Sequence, residues 1–148
     1  MNADKLITAW AAWSPWVPLH AAQPPRTPGV YLARQGADGP LVYVGMAGVR
    51  SGAGLSGRLK RYTSGRATTS GLGEAALDRA LADPAWLRER LHETEDGRPM
   101  RATEWGKAAL QRADIHVCWS VTDSADTARC LEQMICSSTE VQWWNRTR

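Results

Sequence analysis

Two short apolar segments on either side of a turn-rich stretch constrain the fold of this chain more than any other feature of its sequence. The segments are residues 30–34 and 41–44, and the stretch between them contains two glycines and a proline. Short apolar runs joined by such residues are typical of a β-hairpin. A turn centred near residue 37 predicts that Tyr31 lies directly opposite Tyr43, on the same face of the sheet.

Helical periodicity dominates most of the remaining chain. Residues 3–13 predict a short amphipathic helix, and five prolines between Pro15 and Pro28 predict irregular structure up to the hairpin. Residues 114–121 alternate apolar and polar side chains, which is typical of a half-buried strand. A charged loop is predicted at residues 93–99. Further helices are predicted at residues 55–63, 74–81, 85–91, 103–112 and 124–137.

This order of elements predicts the α+β class, with a small, mainly antiparallel β-sheet flanked by helices. We expect a single domain over residues 1–148, because a chain of this length is too short for two independent cores. Residues 1–27 would form an N-terminal extension, and residues 67–113 a helical insert.

Composition excludes several classes of protein. With 43% hydrophobic and 22% charged residues, the chain resembles soluble globular proteins, and it contains no uninterrupted apolar stretch long enough to span a membrane. The N-terminus lacks the pattern of a secretory signal. The three cysteines have no C-x-x-C spacing, which favours reduced thiols in a cytoplasmic protein.

Positive charge is concentrated in one segment although the net charge is only +3. No acidic residue occurs between Asp38 and Glu74, where all the charged side chains are basic. A basic patch of this kind favours a partner that carries phosphate groups, such as nucleic acid. Its members are Arg50, Arg58, Lys60, Arg61 and Arg66.

The tyrosines are the first candidates for chemistry. The chain has eight tryptophans and no phenylalanine, yet its three tyrosines all lie within residues 31–62. Tyr31 and Tyr43 could serve only as an aromatic pair that stabilises the hairpin, or they could act through their hydroxyl groups. Arg58 and Tyr62 share one face of the predicted helix, where the alternative is a solvated basic surface with one aromatic side chain.

Glu132 is the most informative acidic residue. Helical periodicity places it on or beside the apolar face of its helix, where an unpaired carboxylate is costly. A salt bridge to an arginine would explain it, and so would a bound cation. A single carboxylate suits Mg²⁺, which retains several waters and shares its coordination sphere with substrate phosphate.

Five elements in the same order resemble the GIY-YIG nuclease family. Eleven residues separate the two hairpin tyrosines, a spacing typical of that family, and the resemblance covers residues 28–66 and 114–145. The matching elements are Gly29-Val30-Tyr31, Tyr43-Val44-Gly45, Arg58 with Tyr62, Glu132 and Asn145.

The resemblance implies a divalent-metal-dependent endonuclease that hydrolyses phosphodiester bonds in DNA. Glu132 would hold Mg²⁺ or Mn²⁺, Arg58 would contact the phosphate, and Tyr62 would relay hydrogen bonds. Tyr43 is the favoured base with Tyr31 assisting, although the sequence does not separate the two. The supporting positions in the family correspond to Gly29, Gly45 and Asn145.

Met46 departs from the family pattern, because many members have lysine immediately after the second tripeptide. Arg50, Lys60 or Arg61 would then have to supply the missing contact to phosphate, with Arg66 extending the same basic surface. A nucleic-acid-binding module that has this fold but does not cleave is therefore the alternative. If the chain is a nuclease, we expect a stand-alone restriction-like or structure-specific enzyme. A restriction-like enzyme is expected to act as a homodimer.

Overall fold

The predicted hairpin forms one side of a four-stranded antiparallel sheet in the computed structural model, which describes residues 2–49 and 53–146. The strands are β1 (Val17–Pro18), β2 (Gly29–Gln35), β3 (Leu41–Ala47) and β4 (Ile115–Val121), in the spatial order β1-β4-β2-β3. The α-helices of the described ranges are α1 (Ala3–Trp10), α2 (Gly54–Thr63), α3 (Gly71–Leu81), α4 (Pro84–Glu95), α5 (Ala102–Ala113) and α6 (Ala125–Ser138). The α+β class with a small antiparallel sheet is confirmed.

The register of the hairpin differs from the predicted one. Tyr31 pairs with Gly45, and Ala33 pairs with Tyr43, so the two tyrosines are diagonal neighbours. The prediction that they lie directly opposite each other is wrong, whereas their placement on the same face is right. The pair nearest the turn, Arg34 and Leu41, places the turn half a residue later than predicted, and the register shift between Ala33 and Arg34 adds the other half.

Each face of the sheet buries a separate apolar layer. On one face, Val30 and Leu32 pack with the buried sides of α1 and α6. On the other face, Tyr31 and Tyr43 pack with α2, α3 and α5. This alternation follows from the period of two along a strand, which sends neighbouring side chains to opposite faces.

The proline-rich segment is more regular than predicted. Helix α1 ends at Trp10, and Val17 and Pro18 form β1 at the edge of the sheet, followed by one turn of 3₁₀-helix at Leu19–Ala21. Val17 pairs with Val117 of β4. Proline is compatible with an edge strand because the N–H that it lacks would face solvent and would not be needed for a hydrogen bond to a neighbouring strand.

The predicted helical insert forms α3, α4 and α5. Helix α3 begins at Gly71, earlier than expected, and α4 extends to Glu95, so the predicted loop at residues 93–99 is partly helical. Asp83 caps α4 by accepting hydrogen bonds from the backbone N–H groups of its first turn. Helix α3 packs on both the sheet and α5, so it is the helix that connects the insert to the sheet.

Residues 143–146 run along the exposed edge of β3, and we call them the C-terminal strap. The backbone N–H of Trp144 donates to the carbonyl of Val42 at 2.6 Å. Arg146 forms an ion pair with Glu74 of α3 at 2.9 Å. The strap therefore connects the edge of the sheet with the helical insert.

None of the helices in the described ranges has the length and apolar character of a membrane span.

Candidate active site

The three tyrosine side chains meet on the sheet face that packs against α2, and we call them the tyrosine cluster. The rings of Tyr31 and Tyr43 stack with centroids 6.1 Å apart and planes inclined by 22°. Tyr62 meets the Tyr31 ring edge-on, and the hydroxyl oxygens of Tyr31 and Tyr62 are 2.5 Å apart. Residues that are distant in the sequence thus form one packed group, in which the hydroxyls of Tyr31 and Tyr62 are hydrogen-bonded.

The spacing of the apolar residues in α2 brings Tyr62 to the cluster. Leu55, Leu59 and Tyr62 are buried on one face of α2, which fixes the rotation of the helix against the sheet. Arg58 lies one turn before Tyr62 and is half-buried. The shared face predicted for Arg58 and Tyr62 therefore brings a guanidinium group near the tyrosine cluster.

Burial controls the ionisation of the cluster. Removal from water raises the pKa of Tyr31 well above the ordinary value near 10, and the neighbouring Tyr62 raises it further. The pKa of Tyr43 is raised by the same two causes, burial first. Arg58 acts in the opposite direction and lowers the pKa of both phenols, because its positive charge stabilises a phenolate.

Exposure distinguishes the three phenols. The exposed fraction is 1% for Tyr31, 1% for Tyr62 and 9% for Tyr43. Of the three side chains, Tyr43 is therefore the one most accessible to a molecule arriving from solvent. Tyr31 and Tyr62 form the buried layer beneath it.

Glu132 approaches the cluster from the other side of the sheet. It lies on α6 next to buried Leu131, and its side chain is half-buried, as its position beside the apolar face predicts. Its carboxylate is near enough to Tyr43 for the negative charge to raise the pKa of the phenol. Tyr43 is thus influenced by Glu132 and Arg58 together, with opposite signs.

Two glycines allow the close packing around the cluster. Any side chain at Gly45 would overlap the Tyr31 ring, which lies directly across the hairpin. At Gly29, the first residue of β2, a methyl group would collide with Ser120 on β4 and with Leu55 on α2. Glycine is therefore required at both positions for the aromatic ring and α2 to pack at these distances.

Asn145 fixes the backbone beside Tyr43. Its side-chain oxygen accepts a hydrogen bond from the Val44 N–H at 3.2 Å, and its amide donates to the Val44 carbonyl at 2.6 Å. One side chain therefore satisfies both backbone groups of Val44 on the open edge of β3. The strap holds the strand that carries Tyr43.

Sequence reasoning missed the contribution of α3. The N–H of Leu72 donates a hydrogen bond to the Tyr62 hydroxyl at 3.3 Å, and Gly71 lies against the hydroxyls of Tyr62 and Tyr43. The sequence Ser70-Gly71 immediately before a helical pattern is a detectable helix start. The position of this helix start beside the tyrosines, however, depends on packing across the whole insert.

The basic residues predicted to contact DNA lie on or just after α2. Lys60, Arg61 and Arg66 are all exposed, unlike the half-buried Arg58. Exposed cations of this kind can contact a phosphate backbone without disturbing the apolar core. Arg50, predicted to belong to the same surface, lies outside the described residues.

The donor set fits a hard divalent cation held by one carboxylate. In the described ranges, no three His, Cys, Asp or Glu side chains are grouped as they would be in a preformed metal cage. Mg²⁺ is commonly bound by one or two carboxylates, with waters and substrate phosphates completing its shell. The half-buried Glu132 near Tyr43 meets that requirement.

No family model, no curated protein and no solved structure matches this chain. The chemistry of the site therefore follows from its own residues: two buried phenols, one more accessible phenol, a guanidinium group and a carboxylate.

Proposed function

We propose that this protein is a GIY-YIG-like endonuclease that uses a divalent metal ion to hydrolyse phosphodiester bonds in DNA. The observation that carries the proposal is that Arg58 of α2 and Glu132 of α6 both act electrostatically on the Tyr43 phenol, with opposite signs. A structural aromatic pair does not require two opposite charges beside it. Metal-dependent hydrolysis of a phosphodiester uses a cation-binding carboxylate, a contact to phosphate and a group that accepts a proton.

Tyr43 is the proposed general base. It is the most exposed of the three phenols, and both Arg58 and Glu132 act on its pKa. A phenol must lose its proton before it can accept one from water, and burial opposes that loss. Arg58 favours the phenolate, and neutralising the Glu132 carboxylate with a cation would remove a charge that disfavours it. Tyr31 and Tyr62 would hold the ring and relay hydrogen bonds.

Arg58 has a second role in the proposal. Its planar guanidinium group can donate two parallel hydrogen bonds to a phosphate, which fixes the orientation of the scissile group. Being half-buried, it loses less side-chain freedom on binding than a fully exposed arginine would. Mg²⁺ or Mn²⁺ bound at Glu132 would supply Lewis-acid stabilisation of the charge on the phosphate.

The surface of α2 would bind the DNA backbone. Lys60, Arg61 and Arg66 are exposed and lie on the helix that carries Arg58, or just beyond its end. Contacts of this kind give affinity without sequence information and weaken as salt is added. We expect a restriction-like enzyme to cleave both strands as a homodimer, and a structure-specific enzyme to nick as a monomer.

The test is cleavage of supercoiled plasmid DNA with Mg²⁺ or Mn²⁺, compared with the same reaction in chelator. Glu132→Gln keeps the shape of the side chain and removes its charge. It should reduce cleavage by roughly 10³-fold or more while leaving DNA binding nearly unchanged, because the basic surface is intact. Glu140→Gln is the matched control, since Glu140 is exposed and follows α6.

The outcomes separate the two candidate functions. If the Glu132→Gln variant cleaves as fast as the parent, the proposed metal ligand is wrong. If the parent binds DNA but never cleaves it with either metal, the protein is the nucleic-acid-binding module that Met46, in place of the family's lysine, suggests. Cleavage that survives chelator would contradict the dependence on a divalent cation.

A further inference from the structure

We propose that Gly71, at the start of α3, is a positioning residue that sets the tyrosine hydroxyls for catalysis. This inference rests on the proposed nuclease function. It assigns a role in the reaction to the helical insert. Gly71 would act by having no side chain where the tyrosine hydroxyls must pack.

The contact geometry around Gly71 is specific to the cluster. A methyl group on Gly71 would lie 2.5 Å from the Tyr62 hydroxyl oxygen and 3.3 Å from that of Tyr43. The next residue, Leu72, donates its N–H to the same Tyr62 oxygen. That oxygen is also 2.5 Å from the Tyr31 hydroxyl. The first turn of α3 therefore lies against the hydroxyls of Tyr62 and Tyr43 and donates into the hydrogen-bonded pair of Tyr62 and Tyr31.

Helix α3 is held firmly enough to impose this position. Leu72 and Ala76 are fully buried between the sheet and the insert. On the other side of α3, the Glu74 carboxylate pairs with Arg146 of the C-terminal strap. A bulkier residue at Gly71 would therefore displace the Tyr62 hydroxyl more readily than it would displace α3.

The chain offers a matched control for the backbone strain of a substitution. Gly71 has φ +57°, a conformation that costs any other residue free energy, and Gly97 has φ +76°. A methyl group at Gly97 would meet no atom within 4 Å. Gly71→Ala and Gly97→Ala thus share the strain, and only Gly71→Ala adds contact with the hydroxyls.

The first measurement is single-turnover plasmid cleavage together with DNA affinity. Gly71→Ala should lower the cleavage rate roughly 10²-fold, the scale expected for displacement of a reacting group by about 1 Å. DNA affinity should stay unchanged, because the exposed basic residues are not involved. Gly97→Ala should cleave at the parent rate. Equal rates for Gly71→Ala and the parent would overturn the inference.

The second measurement, the melting temperature, tests the contact between residue 71 and the Tyr62 hydroxyl even if Gly71→Ala folds poorly. In the parent, Tyr62→Phe removes hydrogen bonds and should lower Tm. In the Gly71→Ala background, the same change removes the hydroxyl that the methyl group meets, and it should raise Tm. Absence of this reversal would overturn the inference. A parent that never cleaves would instead refute the proposed function, whereas the reversal of sign would still appear.

Discussion

Folding stability should fall steeply above about pH 10 because of Tyr31 and Tyr43. Burial raises the pKa of both phenols, so the unfolded chain releases these protons at a lower pH than the folded protein does. Above the unfolded pKa, the folded state binds more protons than the unfolded state, and stability declines with pH. The stabilising effect is complete below about pH 10 and is lost as the pH rises through the folded values.

The expected loss follows from the number of protons. One retained proton corresponds to a slope of about 1.4 kcal/mol per pH unit once the unfolded tyrosine is ionised. Integration from about pH 8 to about pH 11 then gives about 1.4 kcal/mol for each tyrosine, or about 3 kcal/mol for the pair. The thiol of Cys118, whose pKa burial raises to about 12, adds a loss of its own over the same range.

The assay is urea unfolding followed by circular dichroism at several pH values. The parent is compared with the double variant Tyr31→Phe and Tyr43→Phe. Cys118 is present in both proteins, so its contribution cancels in the difference. The double variant should lose about 3 kcal/mol less than the parent over this range. Equal losses in the two proteins would refute the conclusion that these phenols ionise only with difficulty in the folded state.

Two substitutions test the packing that supports the cluster. Gly45→Ala should lower the free energy of unfolding by about 1–3 kcal/mol, because the methyl group would overlap the Tyr31 ring, whereas Gly48→Ala meets only an ordinary contact and should change it little. Thermal melts of the two variants give the comparison, and equal costs would contradict it. Asn145→Ala should cost about 1–3 kcal/mol by urea unfolding, because it removes both hydrogen bonds to the Val44 backbone; an unchanged midpoint would show that water replaces them.

Regular patterns in the sequence predicted the secondary structure well wherever local spacing determines it. Helix α2 extends over 54–63 against a predicted 55–63, and β4 over 115–121 against 114–121. Both have a clear periodicity of apolar residues. The register of the hairpin was not predictable in the same way, because the shift between Ala33 and Arg34 moves every pair from Ala33 back to Gly29. Strand pairing depends on the geometry of the turn as well as on the sequence pattern.

The candidate site was predictable in its residues but not in its surroundings. The grouping of all three tyrosines within one short window predicted that they lie together, and their hydroxyls do converge. The contact of Gly71 with that group arises from how α3 packs on the sheet, and no local pattern encodes it. Similarly, β1 is a strand only because Val17 pairs with Val117 of β4.

The C-terminal strap also determines how this sheet can meet another chain. Edge strands expose unpaired backbone groups that can recruit a foreign strand. At β3 the strap already uses the carbonyl of Val42 and both backbone groups of Val44. A continuous sheet extending across two copies would first have to release Trp144 and Asn145 from these bonds. The strap therefore protects the β3 edge from pairing with a strand of another chain.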